Sequence, residues 1–139
     1  AKYQVACCLM HNRNEAVYDD FLEDMVKDME ECVAIARAAG GPDDKIMLDP
    51  GVGFGKTYEM NLEAINHVDI LHRLGFPILL GTSRKSVIGN TLNLPADQRV
   101  EGTLATTVIG VMKGCSFVRV HDVKENKRII QMTKAILAH

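Results

Sequence analysis

The sequence predicts an α/β fold made of parallel strand–helix units, and two observations carry this prediction. Apolar segments too short for a buried helix alternate with segments whose apolar residues recur at helical spacing. In addition, every apolar segment runs directly into a polar cluster at its C-terminal end. Both features are typical of parallel βα units, in which ligands gather at the carboxyl ends of the strands. We predict four such units in one domain, residues 1–139.

The first unit is predicted from an apolar strand over Tyr3–Met10 and a helix behind it. An acidic pair at 19–20 precedes the helix, where negative charge suits the helix dipole. Apolar residues recur at helical spacing over 22–36. Gly40 suits a left-handed C-terminal cap and Pro42 cannot continue the helix, so the helix is expected to end there.

The second unit opens with a buried strand, Ile46–Leu48, which runs into Asp49 and a glycine-rich loop at 51–55. A carboxylate at the end of a buried strand is costly unless something pairs with it. Glycines let a backbone or a flat ligand approach closely. We interpret this junction as part of a binding site, although a carboxylate that only caps the loop would fit the same residues.

A phosphate-binding P-loop is the obvious alternative for this loop, because Gly55, Lys56 and Thr57 match the end of that motif. The motif places four residues between its first glycine and the Gly-Lys pair, and the position required for that glycine is Pro50. Proline has no N–H to offer a phosphate. The spacing therefore excludes a P-loop.

The remaining elements follow in the same alternation. In chain order they are a helical stripe over Leu62–Leu74, a strand over Ile78–Leu80, a helix within Pro95–Met112, a strand over Ser116–Val120 and a closing helix over Val123–Leu137. The third strand ends in the polar segment 81–86, and the fourth runs into His121 and Asp122. A doubly wound open sheet and a (β/α)8 barrel both fit this order. A full barrel needs about 250 residues, so these four units would form about half of one.

The composition is that of an ordinary globular protein, with 47% hydrophobic residues, 24% charged residues and a formal net charge of −2. Interspersed charges leave no basic patch for nucleic acid or an acidic membrane. No apolar segment approaches the length of a membrane span, and no signal-peptide pattern opens the chain, so we expect a soluble cytoplasmic protein. The four cysteines lack CxxC spacing and are predicted to be small core residues, namely Cys7, Cys8, Cys32 and Cys115.

If the strands are parallel, their C-terminal ends bring Asn12, Asp49, Lys85, Arg119 and His121 together. A Ser-His-Asp hydrolase is disfavoured because the serines of the 81–86 segment do not sit in a GxSxG elbow. A metal hydrolase using histidines and aspartates of the strand ends is disfavoured because no HxH or HExxH spacing is present and nearby cations would repel a metal ion.

The favoured chemistry has an anionic leaving group beside a flat heterocycle. Arg119 and His121 lie two apart on a strand and so point to the same side, where they suit phosphate oxygens. Asp49 can accept hydrogen bonds from two adjacent N–H groups of a flat ring. Lys85 can donate to a ring nitrogen or carbonyl, although a solvated loop lysine is an equally simple interpretation.

Three separated motifs, LDPGVGFGK, GTSRKS and RVHD, together with LMH at the first strand end, resemble dihydropteroate synthase over the whole chain. The resemblance implies a (β/α)8 TIM-type barrel of which this chain holds the C-terminal four βα units. It further implies a transferase of folate biosynthesis. That enzyme condenses para-aminobenzoate with 6-hydroxymethyl-7,8-dihydropterin pyrophosphate, and it releases pyrophosphate. Sulfonamides compete with para-aminobenzoate in this family.

The resemblance also assigns roles to residues. Asp49 would bind the aminopyrimidine edge of the pterin, Lys85 would contact the pterin and help close the aminobenzoate site, and Arg119 would flank the pterin. Together, Arg119 and His121 would hold the pyrophosphate. We therefore expect Lys85, Arg119 and His121 to be the catalytic residues.

Three further residues are expected to complete the substrate site. Phe54 and Gly81 would line the pterin and aminobenzoate pockets. Ser86, at the start of a helix, would lie near the aminobenzoate carboxylate. The family also implies Mg²⁺, whose protein ligand would lie in the N-terminal half of the barrel, so no metal ligand is expected in this chain.

Two departures from the family pattern limit these expectations. Val52 stands where the family often has phenylalanine, and the family's N-terminal strands have no counterpart. We therefore expect the isolated chain to be inactive. A half barrel leaves strand edges open, so we also expect it to associate, for example with an N-terminal half. The resemblance further implies a homodimer, because the family dimerises through helices in this half. The alternatives are the pterin-binding domain of a methyltransferase, which the 83–85 and 119–121 segments disfavour, and a non-catalytic pterin-binding fragment.

Overall fold

The computed structural model describes all residues, Ala1–His139, and contains four short parallel strands. They are β1 (Cys7–Met10), β2 (Ile46–Asp49), β3 (Leu79–Leu80) and β4 (Phe117–Val118). β1 pairs with β2, and β3 pairs with β4. A parallel bridge between Leu48 and Ile78 joins the two pairs, and the Leu48 N–H donates to the Pro77 carbonyl at 2.9 Å.

The strands therefore follow one another in space in their chain order. A doubly wound sheet reverses its strand order at a switch point, whereas a (β/α)8 barrel adds each strand beside the previous one. The observed order agrees with a barrel, so the open-sheet alternative is excluded. It places the C-terminal ends of all four strands along one edge.

Five α-helices and three 3₁₀ segments connect and cover the strands. The α-helices are α1 (Phe21–Ala38), α2 (Tyr58–Asn66), α3 (Ser86–Leu92), α4 (Val100–Met112) and α5 (Val123–Leu137). The 3₁₀ segments are Asp43–Lys45, Val68–Leu74 and Ala96–Gln98. None of the helices is long and apolar enough to cross a membrane.

The ends of α1 follow the sequence prediction. The Asp20 side chain caps the helix by accepting from the Glu23 N–H at 3.2 Å. After the helix, Gly40 adopts a left-handed φ of 86° and its N–H donates to the Arg37 carbonyl at 2.9 Å. The predicted C-terminal glycine cap is thus confirmed.

Several elements differ from their predicted extent. The first strand begins at Cys7 rather than at Tyr3, and the fourth shortens to two residues. The predicted helix over 62–74 is a 3₁₀ segment from Val68 onwards, because an apolar spacing of three suits both helix types. Helix α3 begins at Ser86, where the resemblance implied a helix start. Its extent was not predicted, since its seven residues carry no clear apolar period.

The main core lies between the strands, the helices α1 and α2 and the 3₁₀ segment Val68–Leu74. Its fully buried members include Met25, Met29, Leu48, Leu71 and Ile78. A second, polar contact joins α4 to α5. There the Thr107 hydroxyl donates to the buried Asn126 side chain at 2.6 Å, and Asn126 Nδ2 donates to the Asp122 carbonyl at 2.8 Å.

The prediction that the cysteines are core residues is wrong for Cys8, which is exposed, and the other three thiols are only half-buried. All four are free. Side chains alternate along a strand, so Cys8 lies on the same side of β1 as Met10, which lines the pocket described below. An apolar strand sequence shows burial but does not distinguish the helix-covered face from the face at the site.

Candidate functional site

A pocket of about 250 Å³ lies at the C-terminal ends of the four strands. Each of the four strand ends contributes to its wall. The lining residues are Met10, Asp49, Phe54, Gly81, Ser83, Lys85, Arg119, Val120 and His121. Six of the seven predicted substrate-binding residues are among them. Ser86, the seventh, is the first residue of α3 and stands beside Lys85 without lining the pocket.

Asp49 is the only carboxylate in the pocket wall, and it is 2% exposed. Its Oδ1 accepts from the Gly51 N–H at 2.8 Å. Burial raises the pKa of Asp49, while the Gly51 N–H and the charges of Lys85 and Arg119 oppose that rise. A buried carboxylate with one oxygen already bonded keeps its second oxygen for a ligand.

Lys85 follows the third strand and reaches across the pocket to the glycine-rich loop. Its ammonium donates to the Val52 carbonyl at 2.5 Å and lies 5.0 Å from the centroid of the Phe54 ring. Burial lowers the pKa of Lys85, and the nearby Asp49 charge opposes this shift. Phe54 is 40% exposed, so its ring forms an open wall on which a flat ligand could stack.

Gly81 lies between the anionic and cationic sides of the pocket. A β-carbon at this position would lie 3.8 Å from Asp49 Oδ2 and 3.9 Å from the Arg119 Cβ. Arg119 and His121 are exposed at the end of β4, and both line the pocket. The predicted pair of donors beside a carboxylate is therefore present, with the carboxylate deep and the donors at the mouth.

Lys56, whose motif context suggested a P-loop, points back into the glycine-rich loop. Its ammonium donates to the carbonyls of Gly51 and Phe54, each at 3.0 Å, and to His11 Nδ1 at 2.8 Å. Burial lowers the pKa of Lys56 to about 8. The exclusion of a P-loop agrees with this geometry, since the ammonium is used to hold the loop that carries Phe54.

His11 connects this lysine to helix α1. The ring is 1% exposed and accepts from Lys56 at Nδ1, so its Nε2–H donates to Asp28 Oδ2 at 2.9 Å. Arg13 Nε donates to the same oxygen at 2.6 Å. Burial and the Lys56 charge lower the pKa of His11, whereas the Arg13 hydrogen bond lowers the pKa of Asp28. Lys56, His11, Asp28 and Arg13 thus form one network beneath the loop, which we call the loop-support network.

The lowered pKa of Lys56 predicts a pH-dependent contribution to stability. Between pH 8 and its ordinary pKa of 10.5, the unfolded chain binds this proton more tightly than the folded chain. The free energy of unfolding should therefore rise with pH across this window. We expect the difference between wild type and Lys56→Met to shift in favour of wild type from pH 8 to 10.5, as measured by urea denaturation.

The stability of Lys56→Met is subtracted from that of wild type because Cys115 titrates in the same pH range. Burial raises the pKa of Cys115 to about 11, so its contribution to stability falls as pH rises from 9 to 11. That contribution is common to wild type and Lys56→Met and cancels between them. A pH-independent difference would contradict the folded pKa assigned to Lys56.

The sequence suggested Ser83, His11 and Lys56 only for the disfavoured hydrolase sites and the excluded P-loop, and did not assign them to the substrate site. Ser83 lines the pocket and contacts His121, which is 38 positions away. Lys56 and His11 are 45 positions apart. The available indication was their place at strand ends, since His11 closes the LMH segment and Lys56 ends the glycine-rich loop. Asn12, predicted among the converging groups, does not line the pocket.

The four described strand ends offer no cluster of three or more His, Cys, Asp and Glu side chains that could hold a metal ion. The pocket carboxylate instead faces Lys85 and Arg119, whose positive charges oppose a cation. The residues of this chain therefore do not by themselves fit a magnesium site.

Fold and pocket define an α/β-barrel type of enzyme scaffold with its ligand site at the carboxyl ends of the strands. The model of the family described as pterin binding enzymes matches residues 1–121. The chain belongs to the pterin-binding enzyme family.

Relatives and solved structures are consistent with this membership and name its branch. The dihydropteroate synthase of Clostridium beijerinckii is 60% identical over 99% of this chain and 51% of its own length. That of Bacillus subtilis is 50% identical over 99% of this chain and 48% of its own length. A crystal structure of Clostridium difficile dihydropteroate synthase in the presence of pteroic acid superposes with a TM-score of 0.94 at 48% identity, covering 97% of this chain and 52% of that one.

The predicted resemblance to dihydropteroate synthase is confirmed by these relatives, and so is the barrel-type fold. The chain spans about half the length of the curated relatives that it matches.

Proposed function

We propose that this chain supplies the pterin- and pyrophosphate-binding face of a dihydropteroate synthase. The observation that carries the proposal is the single buried carboxylate, Asp49, in a pocket whose other polar walls are Lys85, Arg119 and His121. The pairing suits a ligand with adjacent N–H donors at one end and an anion at the other. The pteroic acid in the Clostridium difficile relative contains such a pterin ring, and that protein supports the assignment.

In the proposed reaction the amine nitrogen of para-aminobenzoate attacks the methylene carbon of the pterin pyrophosphate. The carbon–oxygen bond to pyrophosphate breaks, its electron pair leaves with the pyrophosphate, and the attacking amine loses a proton. Positive charge develops on the methylene as negative charge grows on the leaving group. Arg119 and His121 act by stabilising that negative charge, and Asp49 and Lys85 by fixing the pterin ring.

Gly81 and Phe54 bound the space for the aromatic rings, and Ser86 at the start of α3 stands towards the aminobenzoate carboxylate. We propose that sulfonamides compete there. We further propose that residues 1–139 form one domain, that the protein acts in the cytoplasm, and that it works as a homodimer or with an N-terminal half. These assignments rest on the family resemblance.

Magnesium is also part of the proposal, with its protein ligand outside these 139 residues. Bound Mg²⁺ would neutralise charge on the departing pyrophosphate. The roles of Asp49, Lys85, Arg119 and His121 given above do not depend on it.

The test is to separate binding from turnover. Calorimetry with the pterin pyrophosphate, with and without Mg²⁺, measures binding, and formation of dihydropteroate from that substrate and para-aminobenzoate measures turnover. We expect the 139-residue chain to bind the pterin without turnover, because it spans only about half the length of the related enzymes. The protein joined to, or mixed with, the N-terminal half of a relative should form dihydropteroate.

Three outcomes change the proposal. Turnover by the 139-residue chain alone would overturn its inactivity. Pterin binding without turnover even in the completed protein would favour a non-catalytic pterin-binding role. Methyl transfer to or from a bound pterin, without condensation, would favour the methyltransferase alternative.

A further inference from the structure

Ser83 makes two contacts with His121. Ser83 is 8% exposed, and its Oγ lies 2.8 Å from His121 Nδ1. The same oxygen accepts from the His121 backbone N–H at 3.1 Å. The next residues along both loops also pair, because Arg84 Nη2 donates to Asp122 Oδ1 at 2.8 Å. The loop after β3 is therefore joined to the loop after β4 at two successive positions.

These contacts determine where the imidazole proton lies. A hydroxyl has one hydrogen to donate and two lone pairs to accept with. One lone pair of Ser83 Oγ is used by the His121 N–H, and the protein acceptor within reach of the hydroxyl hydrogen is His121 Nδ1. If Nδ1 carried the proton, the hydroxyl hydrogen would have no acceptor within the protein, which is costly for a side chain that is 8% exposed.

We infer that Ser83 is a positioning residue that holds the neutral His121 ring in the tautomer with its proton on Nε2. Nδ1 faces Ser83, so the opposite ring nitrogen remains as a donor for a ligand in the pocket that His121 lines. The ring can then donate a hydrogen bond to an anion without first becoming charged. Arg119 beside it donates with a permanent charge.

The consequence for binding rests on the proposed function, whereas the tautomer does not. Without the Ser83 hydroxyl, a neutral His121 exchanges between tautomers and rotates, so its Nε2 presents a lone pair for part of the time. A lone pair repels a phosphate oxygen. Ser83 would thus act on the leaving group through His121 without touching it.

The direct test is ¹⁵N NMR of histidine-labelled protein, recorded at several pH values up to 9. The His121→Gln variant identifies the His121 resonances among the five histidines. Wild type should show Nε2 protonated and Nδ1 unprotonated in the neutral ring. Ser83→Ala should show averaged nitrogen shifts, whereas Ser83→Thr, which keeps the hydroxyl, should restore the wild-type pattern.

Thr82→Val is the matched control, because Thr82 is buried in the same loop and its hydroxyl contacts Thr106 rather than His121. This variant should leave the His121 shifts unchanged. A proton on Nδ1 in the wild-type spectrum would overturn the inference by itself, even if Ser83→Ala did not fold. Unchanged shifts in a folded Ser83→Ala would overturn it equally.

Calorimetry with inorganic pyrophosphate then tests the consequence. Ser83→Ala should weaken binding by about 3- to 10-fold, the worth of one hydrogen bond, and Ser83→Thr should recover it. If NMR shows the expected tautomer but Ser83→Ala binds pyrophosphate as tightly as wild type, Ser83 still positions His121. That result would count against the proposal that His121 binds the leaving group. If the nitrogen shifts of His121 do not change in Ser83→Ala, the role of Ser83 is rejected, whatever ligand the protein binds.

Discussion

Replacing Asp49 with asparagine should weaken binding of a pterin by about 10²- to 10⁴-fold. The lost hydrogen bond to a charged oxygen contributes about 1.5–3 kcal/mol, and a buried donor left facing another donor costs about 1–3 kcal/mol more, which together account for this range. The change keeps the side-chain volume and leaves one oxygen to accept from the Gly51 N–H, as Oδ1 does now at 2.8 Å. The other oxygen becomes an NH₂ group, which faces the ligand donors with another donor. Calorimetry with pteroic acid measures the loss.

The stability of Asp49→Asn should not fall together with its affinity for the pterin. Burial raises the pKa of Asp49 above its ordinary 3.8, so the folded chain binds this proton more tightly than the unfolded chain. The contribution of Asp49 to the free energy of unfolding is therefore present at low pH and is lost as pH rises through the raised pKa. Asparagine removes the cost of burying a charge, so the melting temperature of Asp49→Asn at pH 7 should equal or exceed that of wild type.

Asp69→Asn serves as the matched control for this experiment. Asp69 lies in the 3₁₀ segment Val68–Leu74, away from the pocket, and pairs with Lys113 at 3.1 Å. The same chemical change there should leave pteroic acid affinity unaltered. Equal affinities of wild type and Asp49→Asn would remove Asp49 from the proposed pterin site, while a collapsed melting temperature would show that Asp49 is chiefly a structural cap.

The pocket could be predicted from the sequence because parallel topology alone determines which residues meet. Once each strand is recognised by its apolar run, its C-terminal neighbours must share one edge. Asp49, Lys85, Arg119 and His121 converge for that reason and line one pocket. The strand order, and with it the choice between a barrel and an open sheet, came from the backbone pairing of Leu48 with Ile78.

The supporting residues could not be predicted in the same way. A lysine in a glycine-rich loop is ordinarily expected in solvent, yet Lys56 is directed inward by the Gly51 and Phe54 carbonyls. Ser83 carries no local pattern, because its role depends on side-chain geometry across two loops. The exposure of Cys8 could not be predicted either. An apolar strand has two faces, and the face towards the site need not be buried in this chain.

Substituting Gly51 with alanine should cause the largest loss of stability among single changes in the glycine-rich loop. Gly51 has a left-handed φ of 68°, and a β-carbon there would lie 1.8 Å from the His11 carbonyl oxygen. That carbonyl cannot easily retreat, since the His11 N–H donates to the Asp49 carbonyl at 2.9 Å and the His11 ring belongs to the loop-support network. Left-handed strain of about 1–2 kcal/mol and overpacking of about 1–3 kcal/mol add to about 2–5 kcal/mol.

Gly75→Ala separates the two causes, because Gly75 has a similar φ of 79° but nothing within 4 Å of an added β-carbon. It should cost only the backbone strain, about 1–2 kcal/mol. Urea denaturation of both variants gives the difference, which measures the contact with His11. Equal losses would mean that the loop after β2 moves away from β1 without cost. In that case the close approach of Gly51 to His11 would contribute nothing to the stability of the loop.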